Sequence, residues 1–376
     1  MNATRSGVYL GRLFGIKFYL DYSWFIIAAI LTFILSAQLF PNSLPGLPGV
    51  VYFILGLSAA CLFFISILLH ELGHSLVSQR CGIPVPRITL LFIGGIAEIS
   101  REPDNPQHEL KIALAGPAVT LVLIGVFEVL ARIFLKLGIM ELMLMFRWLA
   151  VVNFILIVFN AIPGYPLDGG RVLRALIWAG SGNMRKATFL TSRIGVFFSW
   201  ALIVLGFYGL FKGAWNSVVF IFIGIFLKTA AEGGYLQAIY NEVLSGVRVK
   251  DIMSSPPIWI PSHLPVNLAV DDFFLTNHHV AFPVCDSEGA FQGLLHLEHL
   301  KSVPREKWPY TTVADLVSEN PDGLSISVTD SARKAMNRLL ASGPGRLAVL
   351  SGDKLVGIIT RHDILHFIRI HTELEA

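Results

Sequence analysis

The sequence predicts a polytopic α-helical membrane protein with about six transmembrane helices, a short membrane-associated β-hairpin and an α+β part at its C-terminal end. Only 15% of the 376 residues are charged, against about 25% in an average soluble domain, and the mean hydropathy is +0.65. The charge is unevenly distributed, because residues 1–246 hold 28 charged side chains and residues 247–376 hold 27. This composition argues against a purely soluble enzyme, a disordered chain and a nucleic-acid-binding protein.

Charge-poor stretches define the expected spans. No Asp, Glu, Lys or Arg lies between Asp21 and Glu71. A transmembrane helix needs roughly 20 apolar residues, so this stretch has room for two helices around a turn at residues 41–49. The six spans are expected near residues 22–39, 50–79, 108–131, 143–162, 191–211 and 213–231. Little turn sequence separates the last two.

The distribution of basic residues predicts the orientation in the bilayer. Segments 1–21, 80–111 and 163–193 hold 12 Lys and Arg residues, whereas the alternate loops hold 4. We therefore expect a protein of the cell membrane with its N-terminus in the cytoplasm. Six spans then return the C-terminal domain to the cytoplasm.

A hairpin is expected between the second and third spans. The segment 87–99 is apolar, rich in β-forming residues and interrupted by Gly94 and Gly95. It is too short to span a bilayer, and two β-forming stretches separated by glycines are typical of a β-hairpin. Non-helical backbone at membrane depth is stable only inside protein or along a cavity. The alternative is an amphipathic hairpin that lies on the membrane surface.

The strongest chemical signal is the sequence HELGH, which begins at His70 near the end of the second span. Residues four apart share a helix face, so His70 and His74 can bind one metal ion. Glu71 lies where it can take the proton from a water that the ion activates. This is the HExxH pattern of zinc peptidases. So short a pattern also occurs by chance, but ionisable residues within a span are costly and indicate function.

A third ligand is expected elsewhere, because catalytic zinc takes three protein ligands and leaves one position open. The sequence NAIPGYPLDGGR (160–171) follows the fourth span and contains Asp168. Locally, Asp168 could equally be a helix-capping residue. The second and fourth spans run in the same direction, however, so Asp168 lies at the same end of the membrane as the two histidines.

The two motifs together resemble the site-2 protease family of intramembrane zinc metalloproteases, over roughly residues 8–230. The resemblance implies that His70, His74 and Asp168 bind one Zn²⁺ per chain. It implies that Glu71 is the general base. The reaction would be hydrolysis of a peptide bond in or beside the transmembrane helix of a single-span substrate.

The same resemblance implies roles for three further parts of the sequence. Asn160 matches a family asparagine thought to steady the substrate or the oxyanion, a role that suits an amide donor. A family segment comparable to 87–99 dips toward the active site, where an unwound substrate could pair with its edge. The small residues 115–118 also match the family and are expected to permit close helix packing.

An internal repeat follows residue 247, with an offset of 64 positions. Residues 249–252 (VKDI) recur as 313–316 (VADL), and Gly293 recurs as Gly357. Each copy has the pattern strand, helix, strand, strand, helix. The pair resembles tandem CBS domains, which often bind adenine nucleotides and through which the chain could form a homo-oligomer.

The second copy carries the residues expected to contact a nucleotide. The resemblance implies that the Thr360 hydroxyl contacts a phosphate of ATP or AMP and that the Asp363 carboxylate contacts the ribose hydroxyls. The alternative is that both residues cap the last helix. The first copy has His296 and His299 at the matching positions, so it lacks this pattern.

The resulting interpretation is a zinc metalloprotease domain over 1–232, a linker over 233–246 and a regulatory CBS pair with repeats 247–306 and 307–376. One alternative is a CBS-gated transporter or channel, which would have ionisable residues along a path across several spans. Another is an inactive family member that acts as a binding platform. The concentration of ionisable residues at two intact motifs favours the protease.

Overall fold

The structure is a computed structural model that describes residues 7–92, 94–317, 321–341 and 345–374. The chain divides into two compact units, Met1–Ala238 and Ile239–Ala376. The first unit contains the long apolar helices, and the second contains the repeat.

Among the described residues, six helices are long and apolar enough to cross a membrane, which confirms the predicted number. The helices up to residue 243 are α1 (Tyr22–Ser43), α2 (Gly49–Arg80), α3 (Pro106–Lys136), α4 (Met140–Asn160), α5 (Asp168–Ser181), α6 (Met184–Phe211) and α7 (Val218–Val243). All except α5 are candidate spans, and the apolar stretch of the last is Trp215–Leu236. Gly213, with a φ of 81°, forms the turn that separates α6 from α7. Helix α7 continues into the range 233–246 that the sequence assigns to a linker.

A four-stranded sheet stands where the sequence predicts a single hairpin. Its strands are β1 (Val8–Leu13), β2 (Ile16–Leu20), β3 (Arg87–Leu91) and β4 (Gly94–Glu98), in the order β1-β2-β3-β4. The antiparallel pair β3–β4 is the expected hairpin, although Ile93 lies outside the described residues. Strand β2 runs parallel to β3. One face of the sheet packs Ile16, Phe18 and Ile88 against Leu72 of α2.

The bundle brings α3 close to both α2 and α5. The buried apolar residues shared by α1 to α4 include Leu35, Tyr52, Leu55, Phe127, Met145 and Leu149. Small residues allow the approach of α3 to α2, because a Cβ added to Gly73 would lie 3.0 Å from the Ala115 carbonyl oxygen. This is the close packing expected of residues 115–118.

The second unit contains the predicted repeat of strand, helix, strand, strand, helix. The first copy consists of β5 (Ile260–Pro261), α8 (Val266–Ala269, continued by helical turns to Asn277), β6 (Ala281–Cys285), β7 (Phe291–His296) and α9 (Leu297–Lys301). The second consists of β8 (Ser325–Ser327), α10 (Ala332–Ala341), β9 (Arg346–Ser351), β10 (Lys354–Thr360) and α11 (Arg361–Leu374). In each copy the first two strands are parallel and the last two antiparallel. The two copies therefore share one topology.

Candidate metal centre

The structure brings His70, His74 and Asp168 together. His70 Nε2 lies 3.1 Å from Asp168 Oδ2, and His74 Nε2 lies 3.2 Å from Asp168 Oδ1. The two Nε2 atoms are 3.2 Å apart. Both histidines are buried. Among the described residues, this is the only group of three or more potential metal ligands whose ligand atoms converge within 4.8 Å.

Local structure explains how Asp168 reaches the histidines. Prolines 163 and 166 end α4 and prevent its continuation. Leu167 is extended, with φ −70° and ψ 159°, and α5 begins at Asp168. The carboxylate therefore sits at the positive end of a helix dipole, which favours its charged form. Asp168 occupies the first helical position, after the N-cap residue Leu167, and no side-chain hydrogen bond caps the helix. Asp168 is therefore not the helix-capping residue that the alternative interpretation expected.

Helix α3 orients both imidazole rings. His74 Nδ1 lies 2.6 Å from the Ile112 carbonyl oxygen. A carbonyl can only accept, so Nδ1 carries the proton and Nε2 presents a lone pair. His70 Nδ1 lies 2.8 Å from Thr120 Oγ1, and the Thr120 hydroxyl can donate to the Gly116 carbonyl oxygen at 3.3 Å. The same tautomer is thus favoured for His70.

The donor set fits a divalent metal such as Zn²⁺. Ligands placed about 2.0–2.1 Å from a tetrahedral Zn²⁺ lie roughly 3.3 Å from one another, close to the three separations of the Nε2 atoms and the carboxylate oxygens. Two lone pairs and a carboxylate that face one another at this range repel, and a cation between them removes that repulsion. Three protein ligands leave a coordination position for chemistry.

Gly116 is a residue whose role the sequence did not reveal. A Cβ added there would overlap the His74 ring at Nε2, Cε1 and Cδ2. The absence of a side chain at this position lets the imidazole stand between α2 and α3. The sequence predicts only close helix packing for residues 115–118, whereas in the structure Gly116 lies directly against the ring of His74, a proposed ligand.

Glu71 faces the sheet. Its side chain packs against the backbone of Gly95 in β4, where a Cβ would overlap the Glu71 Cγ. Among the described residues, β3 is the only strand that pairs with β4, so β4 is an edge strand. The outer edge of the sheet therefore lies beside the expected general base.

A buried ion cluster connects α5 to α3. Glu109, in the first turn of α3, has no exposed side-chain surface. Its Oε1 lies 3.1 Å from Arg171 Nε and 2.7 Å from Arg174 Nη2. Arg171 is one turn after Asp168 on α5. Helix α3 thus orients both histidines and also holds α5, the helix that carries the expected third ligand. Glu109 lies 62 positions from Arg171 in the sequence, so no local pattern indicated the cluster.

Asn160 is the last residue of α4, and its side chain is half-buried. Within the described part of the chain, the hydrogen bonds found do not involve its amide. Its expected role in steadying substrate stays a prediction.

In the second unit, Thr360 and Asp363 form the capping pair that begins α11. The Thr360 backbone N–H and hydroxyl donate to Asp363 Oδ2 at 2.8 and 2.7 Å, and the Asp363 N–H donates to Thr360 Oγ1 at 3.2 Å. The other carboxylate oxygen, Oδ1, lies 3.5 Å from the Ser254 hydroxyl and takes no part in the cap. In the first copy, His296 and His299 occupy the equivalent positions at the start of α9.

Replacing Thr120 with valine should weaken metal binding. Valine keeps the shape but removes the acceptor for His70 Nδ1, and loss of such an outer partner typically costs roughly 10–100-fold in metal affinity. Zinc retained by the purified protein against a competing chelator measures the effect. Thr191→Val is the control, because Thr191 is also buried in a helix but bonds only backbone carbonyls. Equal retention by Thr120→Val and wild type would contradict the orienting role.

Comparison with known proteins adds family information. The model of peptidase family M50 matches residues 58–138 and 125–205, and the CBS domain model matches 249–306 and 313–370. Rip3 of Mycobacterium tuberculosis, which bears the name of a zinc metalloprotease, is 32% identical over 374 residues, 98% of this chain and 94% of that protein. The Methanocaldococcus jannaschii protein named zinc metalloprotease MJ0392 is 31% identical over 309 residues, 82% of this chain and 84% of that protein. A solved structure, the site-2 protease from Methanocaldococcus jannaschii, is 27% identical with a TM-score of 0.42, and the match covers 61% of this chain and 95% of that one.

Proposed function

The chain belongs to peptidase family M50 and is a membrane metalloprotease with a C-terminal CBS pair, and we propose that it hydrolyses a peptide bond in or beside the transmembrane segment of another membrane protein. The observation that carries the proposal is the convergence of His70, His74 and Asp168 at one end of apolar, span-length helices. Relatives that bear the name of zinc metalloproteases support Zn²⁺ as the metal.

In this proposal, His70, His74 and Asp168 hold the ion. When bound, Zn²⁺ supplies Lewis-acid chemistry that polarises a carbonyl and makes water acidic enough to be deprotonated near neutral pH. Glu71 accepts the proton of the attacking water and delivers it to the leaving nitrogen, and such acid–base catalysis contributes typically about 10²–10⁴-fold. The Asn160 amide, eight residues before Asp168, donates to the carbonyl oxygen of the substrate.

The edge of β4 supplies a place for the substrate backbone. In the interior of a transmembrane helix the backbone groups are hydrogen-bonded to one another, so the substrate must unwind before such a carbonyl can be attacked. An unwound segment pairs with an edge strand through main-chain hydrogen bonds. Because Gly95 of β4 packs against Glu71, a strand added there brings its backbone close to the general base.

We also propose the orientation that the basic residues predict. The N-terminus and the CBS pair lie in the cytoplasm, in the cell membrane, and copies of the chain associate through their CBS domains. Reporter fusions at the N-terminus and at each loop test this topology. A reporter active outside the cell at residues 81–105 would contradict it.

Co-expression with single-span membrane proteins tests the proposed activity. The wild-type chain should cleave a substrate, whereas Glu71→Gln should not. Glu128→Gln is the matched control, since Glu128 of α3 pairs with the exposed side chains of Arg132, on the same helix, and Arg147 of α4. Transport or channel activity without cleavage would favour the CBS-gated transporter. Substrate capture without cleavage by any variant would favour an inactive binding platform.

Adenine nucleotide binding to the CBS pair is the proposed regulation. The Oδ1 atom of Asp363 is free of the cap and is the acceptor proposed to contact ribose hydroxyls, while Thr360 contacts a phosphate. We expect ATP or AMP to bind purified wild-type protein in a calorimetric titration and to change the cleavage rate.

The matched variants for this prediction are Asp363→Asn and Asp315→Asn. Asp315 forms the same cap, accepting from the Thr312 N–H at 2.9 Å and its hydroxyl at 2.7 Å. Both substitutions should cost a similar amount of capping energy, about 1 kcal/mol, but only Asp363→Asn should lose nucleotide. Equal binding by both variants, or none by wild type, would remove the nucleotide proposal.

A further inference from the structure

A cavity of about 210 Å³ lies in the first unit, between the loop that precedes Asp168 and the helices α6 and α7. The loop contributes residues including Tyr165 and Leu167, α6 contributes Phe198, Ala201 and Leu205, and α7 contributes Leu227. Nothing in the proposed mechanism uses this space.

The cavity is apolar in its lining and sized for one large side chain. Residues 198, 201, 202 and 205 share one face of α6, as expected of positions spaced by three and four. Ala201, a small residue on this face, leaves room that a larger side chain would fill. An apolar cavity of roughly 150 Å³ binds a benzene molecule, so this one has room for an aromatic or large aliphatic group.

Part of the cavity wall is exposed on a helix that is expected to face lipid. Leu205 lines it and is 59% exposed, and α6 is a span-length apolar helix. An occupant can therefore enter sideways from the bilayer. An apolar side chain that moves from lipid into an apolar cavity gains little hydrophobic free energy. The choice between side chains must therefore come from shape and packing.

We propose that this cavity is the substrate-specificity pocket of the protease, and that it accepts one large apolar side chain, aliphatic or aromatic, from the transmembrane segment of the substrate. The proposal rests on the proposed function. Its physical basis is continuity with the metal centre, because Leu167 forms part of the wall and the next residue is Asp168. A side chain seated there anchors the substrate against the same loop that carries Asp168.

The proposal makes the pocket sensitive to a single substitution. Ala201→Phe fills the cavity with a ring. Val204→Phe is the control, since Val204 is on the same helix, is 62% exposed and does not line the cavity. Both variants place a phenyl ring on one turn of α6, and their thermal midpoints in detergent establish that each folds.

Photocrosslinking tests occupancy without turnover. The probe is a single-span peptide with one benzoylphenylalanine scanned through its transmembrane segment, added to full-length Glu71→Gln protein. We expect one probe position to label α6 between residues 198 and 205. That labelling should fall at least tenfold when Ala201→Phe is added and stay unchanged with Val204→Phe. No labelling of this segment, or labelling that Ala201→Phe leaves unchanged, would overturn the pocket.

Cleavage provides the second readout and separates the two claims. At one position of a cleaved substrate, wild type should prefer leucine or phenylalanine over alanine by roughly tenfold, the lower end of the range for hydrophobic pockets. Ala201→Phe should abolish that preference and still cleave the alanine substrate.

If wild type cleaves but Ala201→Phe keeps the preference, the specificity-pocket proposal is wrong and the proposed protease activity is retained. If the probe labels the pocket but no substrate is cleaved, the proposed protease activity fails and the binding site stands. Labelling by a photoreactive acyl chain, with no effect on side-chain preference, would assign the cavity to lipid and overturn the proposal.

Discussion

Asp168→Asn should remove both the metal and the activity while leaving the fold intact. Asparagine has nearly the same shape, but its neutral amide oxygen is a much poorer ligand for a divalent cation than a carboxylate. The loss in zinc affinity should exceed the roughly 10–100-fold that follows removal of an outer partner. We expect purified Asp168→Asn protein to carry well under one zinc per chain by elemental analysis, and to cleave no substrate.

The surface acid Asp104 provides the control for this prediction. It forms an exposed ion pair with Arg101, so Asp104→Asn should retain zinc and activity at the wild-type level. One zinc per chain and full cleavage in Asp168→Asn would show that another residue supplies the third ligand.

Glu109→Ala should produce the largest loss of stability. The substitution leaves the guanidinium groups of Arg171 and Arg174 buried without their shared carboxylate, and breaking a buried ion pair from one side costs about 3–5 kcal/mol. Because Arg171 is one turn from Asp168, the variant should also bind zinc less tightly. A fall in the thermal midpoint of roughly 10 °C or more is expected.

A second glutamate on the same helix supplies the comparison. Glu128 also contacts two arginines, at 3.4 Å to Arg132 Nε and 2.8 Å to Arg147 Nη1, but its side chain is 28% exposed. Surface pairs of this kind contribute about 0–1 kcal/mol. Equal thermal midpoints for Glu109→Ala and Glu128→Ala would contradict the conclusion that the buried ion cluster stabilises the packing of α5 against α3.

The proposed ligands could be predicted from the sequence because each sits in a dense local motif. HELGH places His70 and His74 four residues apart, and the proline and glycine residues around Asp168 mark a helix start. The outer partners have no such local pattern. Thr120 lies 50 positions from His70, and Glu109 lies 62 from Arg171, so only the packing of α3 against α2 and α5 brings them together.

In the fold, too, local features could be predicted from the sequence, whereas contacts between distant segments could not. Six apolar stretches predicted six spans, because composition alone determines which helices are apolar enough for lipid. The sheet was predicted only in part. Strand β2 has the period-two burial of Ile16, Phe18 and Leu20, which was a readable signal, but its parallel pairing with β3 joins segments about 70 positions apart and depends on tertiary structure.

Helix α3 emerges as the element that organises the site. It accepts a hydrogen bond from His74 at the Ile112 carbonyl, contacts His70 through Thr120, makes room for the His74 ring at Gly116 and holds α5 through Glu109. It contributes none of the proposed metal ligands. Substitutions at Thr120, Gly116 and Glu109 are therefore expected to change metal affinity, although none of these residues is a proposed ligand.

The central claim is that Glu71 acts on water at a metal held by His70, His74 and Asp168 to cut a peptide bond within a membrane. Purified wild-type and Glu71→Gln proteins, each loaded with zinc and reconstituted in lipid with one single-span substrate, test it directly by mass spectrometry of the products. We expect a cut in or beside the substrate's transmembrane segment with wild type, and a rate at least about a hundredfold lower with Glu71→Gln. Equal amounts of the same product from both proteins would contradict it.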